Sequence, residues 1–119
     1  MADSQAPSPV VTTAFEVPGR QIDAVLGVAF GITVRTGDIG SKFAAGLRGW
    51  TGGEIPEFTQ IARAVRVEAL SRLVVEARQM GADAVIGMRF DSSELGPGNT
   101  EVFAYGTAVT LAPMAKRGR

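Results

Sequence analysis

At 119 residues, with 45% hydrophobic and 20% charged residues, the chain has the size and composition of one globular domain rather than of a disordered segment. Twelve Lys and Arg balance twelve Asp and Glu, so no net field draws in nucleic acid or an anionic membrane, and neither is expected as a partner. Cys and His are both absent, which excludes disulfides, thiolate and imidazole catalysis, haem and iron–sulfur ligation, and ordinary zinc or copper sites.

The opening residues Met1-Ala2-Asp3-Ser4-Gln5 have neither the basic start nor the apolar block of a signal peptide, and no apolar run approaches the roughly 18 residues of a membrane span. A cytoplasmic location is expected. Residues 1–12 are rich in Ala, Ser and Pro and read as a flexible N-terminal tail, with Pro7 and Pro9 opposing regular structure. Val11 to Val17 can add a short strand before the Pro18-Gly19 turn.

From Arg20 to Phe30 the chain alternates, placing Ile22, Ala24, Leu26, Val28 and Phe30 on one face of a strand. The other face, Asp23, Val25, Gly27 and Ala29, is mostly small and apolar, so the strand is expected to be buried on both sides. Ile32-Thr33-Val34 extends it past Gly31, where glycine marks a bulge or the close approach of another backbone. Within 37–53, Ile39, Phe43, Leu47 and Trp50 have helical spacing amid six glycines, which predicts a short, closely packed helix. Gly40-Ser41-Lys42 lacks the first glycine and the Gly-Lys-Ser/Thr order of a phosphate loop, and no phosphate site is assigned to it.

The principal helix is expected to begin near Pro56 or Glu57 and to run about 23 residues, roughly 35 Å, on a stripe of Ile61, Val65, Ala69 or Leu70, Leu73, Ala77 and Met80. Glu68 and Arg72 stand at a supportive i,i+4 spacing. Gly81 is placed for a left-handed cap, and Asp83 for the turn into a strand in which Ala84, Ile86, Met88 and Phe90 alternate with Val85, Gly87 and Arg89. Ser92 to Thr100 reads as a loop by composition. Glu101 to Leu111 is the last strand, apolar or small on both faces, and 113–119 is a short basic C-terminal tail.

Strand, helix, strand, strand is satisfied by an α+β subunit: a three-stranded antiparallel sheet, its last strand in the centre, under one long helix, with an extra short strand and short helix. One helix covers one sheet face. Because the strands are apolar on both faces, the second face is expected to be buried against copies of the same chain.

The segments Arg20-Gln21-Ile22 to Leu26-Gly27-Val28, Phe43-Ala44-Ala45-Gly46-Leu47-Arg48 with Gly52-Gly53-Glu54, Glu68-Ala69-Leu70, Gly81 to Gly87 and Tyr105-Gly106-Thr107-Ala108-Val109 together resemble the YbjQ-like family, labelled a putative heavy-metal-binding domain. The resemblance covers a domain of residues 13–112. It implies a dodecin-like β-α-β-β subunit assembled into a homopentameric ring, in a family whose role is uncharacterised.

Three functions follow as expectations. The first is a binding or scaffold ring in which Phe43, Leu47 and Trp50 contribute to contacts or to a small-ligand cleft between subunits. The second is a divalent-cation site using Asp83, Asp91, Glu94 and Glu101, whose oxygen ligands suit Mg²⁺, Ca²⁺ or Mn²⁺. The third, an enzyme, is not expected, since no nucleophile motif or acid/base pair is marked; no catalytic, cofactor-binding or metal-ligating residue is assigned.

Overall fold

The computed structural model describes residues 7–36 and 56–113, in the order β1 (Val10–Val11), β2 (Ile22–Thr36), α1 (Pro56–Gln79), β3 (Ala84–Gly96) and β4 (Asn99–Leu111). The strands form one sheet in the order β1-β3-β4-β2. β4 lies between β2 and β3 and is antiparallel to both, as expected for the last strand. The described sheet has four strands rather than three and is mixed, because β1 pairs parallel with β3 through Val10↔Ala84 and Val11↔Val85. Val10–Val11 thus belongs to the sheet although it falls in the stretch expected to be a tail. The amides of Gly87 and Met88 extend this edge by donating to the carbonyls of Ala14 and Thr12. The short helix expected within 37–53 lies outside the described residues.

Ser92 to Thr100 is not a loop. β3 and β4 continue through it as a long hairpin closed by Pro97-Gly98, with Gly98 at φ +77. Pro at the second and a positive-φ glycine at the third position of the turn meet the demands of a type II turn. Composition marked the turn residues, and cross-strand pairing carried Ser92, Ser93 and Glu94 into the ladder.

α1 runs 24 residues and buries Val65, Ala69, Leu73 and Ala77, the centre of the expected stripe. It ends in a Schellman motif, with the Gly81 amide donating to the Arg78 carbonyl, the Ala82 amide to the Ala77 carbonyl, and Gly81 at φ +84. The floor beneath it is made of small residues: Ala29 and Gly31 on β2, and Ala104, Gly106 and Ala108 on β4. A Cβ on Gly31 would lie 2.0 Å from the Ala69 carbonyl oxygen, so this glycine marks the close approach of another backbone and not a bulge.

The irregularities lie elsewhere. The β2–β4 register shifts between Ile22 and Ala24 and again between Val25 and Gly27, and β3–β4 shifts between Ile86 and Arg89 and between Glu94 and Gly96. Each shift inserts a residue and reverses which face the following side chains occupy. On β2 the face away from the helix therefore reads Ile22, Val25, Val28, Phe30, Ile32, Val34, opposite the odd-numbered residues of β4, and not the regular alternation expected from Ile22 to Phe30. On β3, Ala84 and Ile86 pack in the cluster with Val109 and Leu111, whereas Met88 joins the helix-side core with Val85.

Candidate functional site

The sheet face opposite α1 is closed at one end only. There Ala84, Ile86, Val109 and Leu111 are buried, with Val17 and Ile22 packed on them. The incoming chain also lays the Phe15 ring over Gly87, beside the Arg89 guanidinium 5.6 Å from the ring centroid. Toward the hairpin turn, no described residue covers the face. Val28, Phe30, Ile32 and Val34 remain 53%, 43%, 43% and 46% exposed on a strand whose composition calls for burial. They pair with Thr107, Tyr105, Phe103 and Glu101 of β4. The Tyr105 ring stands 6.5 Å from Phe30 and 5.6 Å from Phe103, centroid to centroid. The result is a contiguous apolar and aromatic surface bordered by Arg89, Asp91, Ser93 and Glu101.

Those acidic residues do not converge as a cation site would need. Asp83 sits at the start of β3, remote from the hairpin turn, and is committed to the backbone: its Oδ2 accepts the Leu111 amide at 2.8 Å. Asp91 Oδ1 accepts the Ser92 amide, and Glu101 Oε1 accepts the Ser93 hydroxyl at 2.9 Å. Glu94 pairs across the hairpin with Thr100 rather than with another acid. Among the described residues no three carboxylates come together. With neither Cys nor His in the chain, the donor set does not fit a thiophilic metal. Phe43, Leu47 and Trp50, expected at a cleft, lie outside the described residues.

Two features escaped the sequence reading. One is an open groove of about 520 Å³ between α1 and β3, lined by Thr59, Ala62, Arg63, Arg66, Val67, Leu70 and Phe90, with the Arg66 guanidinium 5.9 Å from the Phe90 centroid. Its signal was Phe90, whose face the bulge at Gly87-Met88 reversed. The other runs along the outer edge of β2, where Glu76 and Arg72 bond to strand backbone. Only the Glu68/Arg72 half of that arrangement is visible as a spacing.

A family model described as "Putative heavy-metal-binding" matches residues 10–112. A UPF0145 protein of Archaeoglobus fulgidus is 47% identical over 102 residues, covering 86% of this chain and 94% of the relative. One from Chromobacterium violaceum is 47% identical over 111 residues, covering 93% and 95%. A crystal structure of a protein of unknown function from Pediococcus pentosaceus superposes with a TM-score of 0.52 at 19% identity, covering 87% of this chain and 98% of that one. This last likeness concerns the fold alone.

Proposed function

The chain belongs to the uncharacterised UPF0145 family, whose model carries the description "Putative heavy-metal-binding", and from that membership we propose that it is a non-catalytic, self-associating binding or scaffold module. Copies meet through the open face of the sheet and form a ring, as a pentamer in the reading taken from the family resemblance. The observation that carries this is the unburied row Val28, Phe30, Ile32 and Val34. A subunit that leaves its most apolar strand in water has burial still to gain, at about 25 cal/mol per Å² of apolar surface removed.

A second reading, that the assembly holds a small ligand, is favoured by the groove between α1 and β3, whose 520 Å³ is within the range of small-molecule sites, about 300–1,000 Å³. Its apolar floor of Val67, Leu70 and Phe90 beside Arg63 and Arg66 suits a flat apolar body with an anionic group. Native mass spectrometry of protein purified from its own cells tests both readings. A mass several times the 12.4 kDa chain is expected for the assembly, with any retained small molecule seen as a discrete increment per subunit. A 12.4 kDa species alone at micromolar concentration sinks the assembly.

A further inference from the structure

β2 is the long outer strand of the described sheet, whose other edge is the two-residue β1, and an outer strand presents a row of backbone groups to which another strand can pair. From Ala24 to Val34 it contains no charged residue and no proline, which is the composition of a segment prone to stack with copies of itself. Natural sheets usually blunt such an edge with a charge on the strand, and this stretch has none.

The charges come from the helix instead. Glu68, Arg72 and Glu76 stand four residues apart on α1 and form one stripe beside β2. Glu76 Oε2 accepts the Phe30 amide at 2.7 Å, and Arg72 Nη1 donates to the Ile32 carbonyl at 2.6 Å. Backbone groups of residues two apart point to the same side of an antiparallel strand, so these bonds engage the edge that faces away from β4. Arg72 Nη2 donates to Glu68 Oε2 at 2.6 Å, and Glu68 is also paired with Arg35 on β2, so one carboxylate anchors an arginine from each element.

We propose that the stripe Glu68, Arg72 and Glu76 is a guard that closes the outer edge of β2 to strand addition by a second copy of this chain. An incoming strand needs the Phe30 amide and the Ile32 carbonyl, and both are already bonded. It would have to displace two charged groups that have no other described partner on the sheet. The guard allows β2 to stay strongly apolar on its open face without growing edge to edge.

The test is the full chain carrying R72A/E76A, followed by light scattering after size exclusion and by thioflavin T fluorescence, with and without sonicated seed. The expected result is a shift to particles larger than the wild-type species, growing with concentration and binding the dye. R72K/E76Q retains a donor and an acceptor and should keep the wild-type mass. V65A removes packing under α1 without opening the edge, and should also keep it. The single E76A frees the Phe30 amide while sparing the Glu68 pairs, and reads the same way should the double variant fold poorly. Wild-type behaviour of R72A/E76A or of a folded E76A overturns the proposal, as does equal growth by V65A. A wild-type chain that proves monomeric sinks the assembly reading and leaves the guard standing.

Discussion

At Gly31 the helix rests on the strand without any side chain between them. The Cβ of an alanine would lie 2.0 Å from the Ala69 carbonyl oxygen and 2.3 Å from the Leu73 amide nitrogen, both of them backbone, so no rotamer change relieves the clash. Gly31→Ala must push α1 off the sheet and should cost about 3 kcal/mol or more, read as a lower urea midpoint at unchanged slope. A loss under about 1 kcal/mol would show that the helix does not seat there. Two residues on, the opposite sign is expected. Thr33 is 1% exposed, and among the described residues its hydroxyl has no hydrogen-bond partner. Thr33→Val keeps the shape and removes an unpaired polar atom, for a gain of about 1 kcal/mol in the same titration.

At the scale of elements, the helix was legible almost to its ends because its signals are local: Pro56 at the start, a stripe at steps of three and four, and Gly81 followed by Ala82 at the stop. The strands were legible as strands, and their faces were not. Period-two reasoning assumes an unbroken ladder, and the four register shifts break it, so that Ile22, Val25 and Val28 share a face at steps of three. Part of the signal was present: Gly27 at φ +132, Gly87 at φ +63 and Gly96 at φ +147 stand at three of the shifts, in conformations that favour glycine. Within one chain the acids of the cation set are held apart by strand length. Asp83 directly precedes β3 and Asp91 lies eight residues along it, roughly 26 Å away at about 3.3 Å per residue, and the extended hairpin carries Glu94 and Glu101 further still. What Asp83 does is structural: its carboxylate accepts the Leu111 amide, its own amide donates to the Val109 carbonyl, and its carbonyl accepts the Val10 amide. It thus ties β1 and the end of β4 to the helix stop. Asp83→Ala should cost about 1 kcal/mol and raise hydrogen exchange at the Leu111 amide, with the Phe103 amide unaffected. Unchanged exchange at Leu111 would remove Asp83 from that role.

For the whole molecule, the question is which surface holds copies together, and the sheet offers two that differ physically. The outer edge of β2 has its Phe30 and Ile32 backbone groups bonded by Glu76 and Arg72 and offers a neighbour little hydrogen bonding there. The open face offers apolar area, with Ile32 opposite Phe103 near its centre and 43% exposed in the single chain. A carboxylate at Ile32 can stay hydrated in an isolated subunit but loses its water where two copies meet, at a cost of several kcal/mol if unpaired. Ile32→Asp should therefore reduce the assembly to 12.4 kDa subunits in light scattering while the far-ultraviolet circular dichroism is kept. Val75, 54% exposed on α1, is the matched control, since it lies on the helix and not on the open face. Val75→Asp should leave the mass unchanged. If Val75→Asp dissociates the assembly and Ile32→Asp does not, copies meet across the helix and the open face requires another occupant.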